Sequence, residues 1–539
     1  MLTYLAQTNA LNVLFISVGF GGHVTPLFEL AKAMQNHNVT FLTSKLAQSY
    51  INFDAFASPY FHIIYSNDSF DAFLSEKKRE EEYMSIVADR SMFDSVPFVI
   101  PIFVEIISSI LNKTIRTLMN ENFDVIVSSK AIIGVPVLCQ KMNIPCVTQS
   151  PISMPPAFDF NLPNAFALTT TNDLTRFSSR LYNVAFTLRM IIKLLPNIVP
   201  SLNQFLQSLP QVPGPFHDSL TIGNLLFSKA KCLDLISMPM RFYVPTYSNQ
   251  YTKYLGAFVD ETLIIGEETD LNQWVKSKPT KSILYAAFGS TSLIPYNRML
   301  NLIIGVTNFL LQTNDTSLLL ALRSINFNTY QAVVKDLHSD ELKNVLNVKR
   351  RVRIEEGFVQ QKWILQQDSV NIFLSHCGMG SLLEALYFSK PIVCMPFNME
   401  QFANAITVVN LNVGKSLFIP PSVWQSFIDP YNFVQYTFTS DSVTKNMMAL
   451  WMNETYENAV KLMSLEMKYA GGTKRAVKEI EFFVELNGNL DRFVSFQSTL
   501  PFYQRYMLDL LLVYIMLPGT ILFFMIRRCC RCSTKQKRD

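Results

Sequence analysis

Residues 373–401 read FLSHCGMGSLLEALYFSKPIVCMPFNMEQ. A β-rich apolar run, Asn371 to Ser375, breaks at His376-Cys377-Gly378-Met379-Gly380-Ser381, resumes as an amphipathic helix from Leu382, and returns to a strand over Pro391–Met395. A strand that feeds a helix through a glycine-rich turn leaves the first backbone N–H groups of the helix directed at solvent, which makes an anion site. On this reading Glu384 falls in the first helical turn, where a carboxylate can accept from ribose hydroxyls. Glu400 and Gln401 follow the next strand, placed to grip another polyhydroxylated group. Anion, ribose and sugar contacts in that order describe a nucleotide-sugar pocket.

The same stretch, with Phe358-Val359-Gln360-Gln361 ahead of it, resembles the donor-binding motif of the UDP-glycosyltransferases, the membrane-bound glucuronosyl- and glucosyltransferases. Their pattern runs from an aromatic-x-x-Gln, through His-x-Gly and a Ser, to an Asp/Glu-Gln pair after a Pro. Here the elements are Phe358 to Gln361, His376-Cys377-Gly378, Ser381, Glu384, Pro396 and Glu400-Gln401. The resemblance covers nearly the whole chain, strongest from Phe358 to Asn404. It implies the α/β GT-B architecture, two facing Rossmann-like domains plus a C-terminal transmembrane helix.

Size and composition agree with such an assembly. A chain of 539 residues exceeds one ordinary core. The formal charge is +4, but the last thirteen residues hold six Lys/Arg and one Asp, so the remainder is close to neutral. No basic stripe with interleaved aromatics is present, and nucleic acid is not expected as a partner. The eight cysteines show no zinc spacing. Cys139, Cys146, Cys232, Cys377 and Cys394 read as buried thiols, while Cys529, Cys530 and Cys532 crowd the tail, where palmitoylation and plain thiols stay equally open.

Met507–Ile526 has the length and apolarity of a transmembrane helix and is followed by Arg527-Arg528. The positive-inside rule then puts the tail in the cytosol and the bulk of the protein in the lumen. Lys535 and Lys537 resemble a dilysine retrieval signal of the endoplasmic reticulum membrane. The opening MLTYLAQTNALN lacks the basic and long apolar regions of a signal peptide: either the start is atypical or truncated, or the protein is tail-anchored with cytosolic catalytic domains, and the lumenal orientation is the one expected. Sequons at Asn38, Asn67, Asn112, Asn314 and Asn453 fit the lumenal one.

The expected organisation is an acceptor-binding domain over 1–258, a linker over 259–280, and a UDP-sugar-binding domain over 281–450. Helices over 451–500 pack back on the first domain, and a transmembrane helix over 507–526 leads to a basic tail over 527–539. The first domain opens with the run Leu11–Val18, a turn through Gly19 to Val24, and a helix capped by Thr25-Pro26. Pro97–Leu111 and Val184–Val199 are apolar and read as acceptor-pocket, membrane-associating or plain core helices.

The resemblance assigns roles by position. His23 would be the general base that deprotonates the acceptor hydroxyl, with inversion at the anomeric carbon and no metal. The family orients this base with an aspartate where this chain has Ser129, so either another acid substitutes or transfer is weakened. Asp124 lies at the wrong end of its strand to do so. His376, Ser381 and the helix N-terminus would hold the diphosphate. Gly22, Gly378 and Gly380 would allow close approach, and Gly380 stands in place of a common asparagine. Phe358 would stack on uracil, Gln361 contact the nucleoside, and Glu384 hold the ribose. Glu400 and Gln401 would bind the sugar, and Ser290 would approach the phosphates. The partners implied are a UDP-sugar co-substrate, with no further cofactor, a small lipophilic acceptor and the bilayer; a homo-oligomer stays open. Two other functions also stay open, a silent UDP-sugar-binding protein and a glycolipid-forming glucosyltransferase.

Overall fold

The computed structural model describes residues 10–49, 51, 56, 58–66, 92–152, 162–170, 173–208, 220–221, 224–225, 230–242, 249–259, 261, 268–289, 292–313, 315–397, 400–428 and 436–535. Seven parallel strands form the first sheet: β1 (Asn12–Ile16), β2 (Asn38–Ser44), β3 (Phe61–Ser66), β4 (Val125–Ser129), β5 (Cys146–Ser150), β6 (Cys232–Ile236) and β7 (Thr252–Tyr254). Their order is 3-2-1-4-5-6-7. Six more form the second: β8 (Ile283–Ala287), β9 (Ser317–Leu322), β10 (Val352–Glu356), β11 (Val370–Ser375), β12 (Ile392–Cys394) and β13 (Gly414–Ser416). These run 10-9-8-11-12-13. Strands β4, β8, β9 and β11 are buried along their whole length, as parallel strands covered on both faces must be.

The strand order reverses between β1 and β4 in one sheet and between β8 and β11 in the other. At such a switch point the loops leave in opposite directions and open a crevice at the C-terminal strand ends, the usual ligand position in this class of sheet. His23 follows β1 and Ser129 ends β4; His376 follows β11. Both switch points are therefore occupied by residues singled out from sequence.

Helix α1 (Gly21–Ala33) starts four residues before the expected cap at Thr25-Pro26. Phe20 is the extended residue before it, and Pro26 lies inside. The carbonyl that Pro26 leaves without its helical donor belongs to Gly22, which is exposed to water. Helix α2 (Met92–Asn120) contains the apolar run at 97–111. Its Ile106, Ile110, Leu111 and Ile115 pack on Leu14, Ile16 and Ile126, so over these residues it is a core helix. Helix α3 (Val135–Met142) follows β4. Helix α4 (Phe177–Ser208) buries Tyr182 and Phe186 against Phe402 and Phe418 of the second half, and exposes Phe177, Leu181, Leu188 and Ile192.

In the second half, α5 (Tyr296–Gln312), α6 (Gln361–Gln366), α7 (Met379–Tyr387) and α8 (Gln401–Asn410) flank the sheet. The segment 259–280 carries a short helix, Asp270–Lys276, capped by the Thr269 side chain. Helix α9 (Glu454–Ala470) packs on α7, and α10 (Gly472–Glu485) returns to the first half, touching α1 and β6. There Glu481 meets His37 at 3.1 Å and Glu479 meets Lys253 at 3.3 Å. Residues 489–539 form a separate unit. It holds α11 (Leu508–Lys535), whose Leu508–Arg528 portion is long and apolar enough to cross a membrane. The Phe177–Gln207 portion of α4 passes the same test.

The expectation of buried thiols is corrected at four positions. Cys146–Cys232 and Cys377–Cys394 are disulfide-bonded; Cys139 is free and buried. Parallel register sets Cys146 directly opposite Cys232. Pairing of β11 with β12 brings Cys377, just past one strand, to Cys394 at the end of the other. Sequence separations of 86 and 17 residues conceal both.

Candidate active site

His23 stands in the first turn of α1, its N–H bonded to the Phe20 carbonyl at 2.9 Å. Phe20 stacks on Phe103, and Val24 and Leu27 are buried, which fixes the direction in which the helix leaves β1. The imidazole Nδ1 lies 3.1 Å from Ser129 Oγ. The Ala131 N–H points at the same oxygen from 3.4 Å. With Ser129 Oγ as acceptor for Nδ1–H, the free lone pair falls on Nε2, the tautomer a general base needs. Desolvation lowers the His23 pKa to about 4, because a charged ring would lose its hydration and, among the described residues, no carboxylate lies beside it. Asp124 is engaged at the far end of β4, accepting from the Asn12 N–H at 2.8 Å. Asp234 accepts from Lys130 at 2.5 Å and from Thr148 at 3.1 Å.

On the donor side α7 begins at Met379, three residues before the expected Leu382. Glu384 therefore sits in the second turn rather than the first. The cause is Met379 itself: its side chain is buried and pulls the glycine-rich segment into the helix, leaving Gly378 as the extended residue before it. Cys377 takes a positive φ of 58°, and its N–H is caught by Ser375 Oγ at 3.2 Å. Its carbonyl accepts from Asn404 at 2.9 Å, a buried contact from α8 that the sequence reading missed.

Two glycines cradle His376. A Cβ on Gly289, where φ is +69°, would come within 2.6 Å of the ring, and one on Gly378 within 2.4 Å. His376 is 9% exposed, and burial lowers its pKa to about 4, so it is neutral at physiological pH. A Cβ on Gly380 or Gly22 would meet no atom within 4 Å.

Three expected donor residues converge. Gln361 Nε2 donates to Ser381 Oγ at 3.1 Å and to Glu384 Oε2 at 2.7 Å. Burial raises the Glu384 pKa, opposed by the charge of Lys362 and the bond from Gln361. Phe358, 56% exposed, follows β10 immediately before this cluster. Glu400 precedes α8, its pKa raised by burial. Gln401 is buried and its Oε1 accepts from the Phe397 N–H at 2.9 Å, so that carbonyl pins the turn before α8. Ser290 lies outside the described residues.

Helices α1 and α7 touch, so the N-terminal turn carrying His23 and the helix carrying Ser381 and Glu384 belong to one contact between the halves. Lys362 reaches across it to Glu29 of α1 at 2.5 Å, a pair 333 residues apart that nothing in the local sequence announces.

Residues 348–538 match the family model for UDP-glucoronosyl and UDP-glucosyl transferase. The chain is 30% identical over 154 residues to UDP-glycosyltransferase 708A6 of Zea mays, covering 28% of this chain and 30% of that protein. It is 26% identical over 259 residues to a UDP-glycosyltransferase of Talaromyces amestolkiae, covering 44% and 45%. The matched segments thus span less than half the length of these curated relatives. Among solved structures, the glycotransferase of kitacinnamycin superposes with a TM-score of 0.58 at 16% identity, over 88% of this chain and 100% of that one. With two Rossmann-type parallel sheets, the fold is GT-B.

Proposed function

We propose, from the match of residues 348–538 to the UDP-glycosyltransferase family model and the geometry above, that this chain transfers a hexosyl group, glucose or glucuronic acid, from a UDP-sugar to a hydroxyl of a small lipophilic acceptor. The observation that carries this reading is the convergence of Gln361, Ser381 and Glu384 on α7, immediately after His376. The free N–H groups of Met379, Gly380 and Ser381 at the start of α7 attract a diphosphate, and a neutral His376 adds a donor. Glu384 and Gln361 accept and donate to ribose and base, while Glu400 and Gln401 face the sugar.

The chemistry assigned to the other half is deprotonation. Nε2 of His23 takes the acceptor proton as the acceptor oxygen bonds to the anomeric carbon. The bond from that carbon to the phosphate oxygen breaks on the opposite face, and UDP leaves with its negative charge held by the α7 N-terminus. Attack opposite the leaving group inverts the anomeric centre, and no step calls on a metal. A second reading is favoured by one observation: His23 rests on the Ser129 hydroxyl rather than on a carboxylate. A base so weakly supported fits a UDP-sugar-binding protein of slow or absent turnover.

The two disulfides favour an oxidising compartment, and the basic residues after Leu508–Arg528 favour a cytosolic tail. Together they support a lumenal catalytic unit anchored in the endoplasmic reticulum membrane. One experiment addresses all of this: a UDP-sugar by acceptor screen on sealed microsomes carrying wild type or His23→Ala, with protease added outside. The reading expects a glycoside product, its loss in His23→Ala, and a protected catalytic unit. UDP-sugar binding without product over the whole panel supports the silent binder instead, and equal turnover in His23→Ala refutes the base.

A further inference from the structure

Lys362 follows Gln361 directly, and Gln361 itself bonds Glu384 at 2.7 Å; the Lys362 ammonium pairs with one carboxylate and lies in the field of a second, on different halves of the molecule. One is Glu29 of α1, at 2.5 Å; the other is Glu384 of α7, whose charge it feels without a direct bond. Glu29 in turn holds Lys32 at 2.9 Å. All three of Glu29, Lys32 and Lys362 are substantially enclosed, with side chains 8%, 9% and 20% exposed. With Glu384 they make a neutral group of two acids and two bases where α1 meets α7.

Buried charges seek partners because an uncompensated one loses its hydration for nothing. If Glu29 did not hold Lys362, the ammonium would turn to the remaining carboxylate, Glu384, and cover the oxygens needed by a ribose. From this geometry we infer that Glu29 is a positioning residue of the donor pocket: by anchoring Lys362 on the first half, it leaves Glu384 open to the ribose hydroxyls of the donor. The inference rests on the donor reading given above. It also makes ribose recognition conditional on the docking of α1, the helix that carries His23, so that the donor is gripped fully only when the base is in place.

The test uses the full-length protein in detergent micelles and calorimetric titration with UDP and with 2′,3′-dideoxy-UDP, which lacks the hydroxyls at issue. Wild type should prefer UDP. Glu29→Gln should lose roughly ten- to a hundredfold of that preference, the worth of hydrogen bonds to a charged acceptor, with little change in affinity for the dideoxy compound. Glu29→Gln/Lys362→Met removes the displaced ammonium as well and should recover most of the preference, a rescue that a purely structural role for Glu29 would not produce. Where Glu29→Gln does not fold, Glu29→Asp serves, withdrawing the carboxylate by one methylene and giving a smaller loss in the same direction. Full retention of the preference in Glu29→Gln, or a double variant as weak as the single, overturns the inference while wild type still binds UDP. A wild type that does not bind UDP overturns the donor reading too.

Discussion

Replacing Ser129 by Asp tests the proposed base assignment where this chain departs from the UDP-glycosyltransferase pattern it resembles. Ser129 is fully buried at the end of β4, with its hydroxyl 3.1 Å from His23 Nδ1. An aspartate reaches about one bond further, so α1 must yield by roughly that length, and the Ala131 N–H is already placed to donate to the new carboxylate. An acid within a few ångströms raises a histidine pKa by about 1–3 units, which is about 1.4–4 kcal/mol in favour of the imidazolium. If half of the proton has moved in the transition state, roughly half of that energy lowers the barrier, a gain of about 3- to 30-fold in kcat. The sign of the pH effect follows. His23 is protonated only below about pH 4 in wild type, so the acid limb of kcat/KM lies near there. The variant moves that limb towards neutrality. The assay is the pH profile of transfer together with the His23 imidazole resonance across a pH titration, the second readout being independent of turnover. A folded Ser129→Asp whose acid limb and imidazole titration stay near pH 4 refutes the proposed control of His23 by residue 129.

Two further outcomes follow from the glycines and the histidines. Gly380→Asn has open space for its side chain and should tighten UDP binding about fivefold by adding one hydrogen bond. Gly378→Ala, whose Cβ would strike the His376 ring at 2.4 Å, should weaken it by more than tenfold; calorimetry on the pair checks both, and equal effects would contradict the cradle. Stability should also fall with acid. His23 and His376 each have a folded pKa lowered to about 4 from the ordinary 6.5, so the unfolded chain takes up protons first as the pH drops. Stability is then full above about pH 6.5 and is lost towards pH 4, by at most about 3 kcal/mol per histidine. Urea midpoints at pH 7.5 and 4.5 for wild type and His376→Gln measure the difference, and an identical pH response in the two would show that His376 is not held neutral by burial.

Legibility from sequence varied with how local the cause was. Strand β11 at Val370–Ser375 contains the expected run Asn371–Ser375, and α11 takes in 508–526 of the expected span, because each is a self-contained apolar pattern. The starts of α1 and α7 were misplaced for one shared reason. Gly21-Gly22 and Gly378 to Gly380 read as turn residues, yet the buried Val24 and Met379 draw these segments into the helix, where absent side chains leave N–H groups accessible. The Gln361–Ser381–Glu384 cluster was foreseeable as a set through the family pattern, whereas its hydrogen bonds were not. The disulfides and the Glu29–Lys362 pair depend on strand order and on contact between halves, which no window of sequence contains.

The two histidines at the two switch points share one physical state for different ends. Both are held neutral by desolvation, His376 buried and His23 half-buried, with no carboxylate beside either among the described residues. On the proposed donor reading that is an advantage for His376, since a neutral ring between Gly289 and Gly378 would donate to a diphosphate without the desolvation cost of a buried cation. For His23, on the proposed base assignment, the same state would limit the reaction, because a base of pKa about 4 is unprotonated at neutral pH but holds a proton poorly. A single substitution at Ser129 alters the second case and leaves the first untouched. Donor affinity and transfer rate should therefore separate cleanly in this protein: Ser129→Asp changes kcat and the acid limb while the affinity for UDP stays that of wild type.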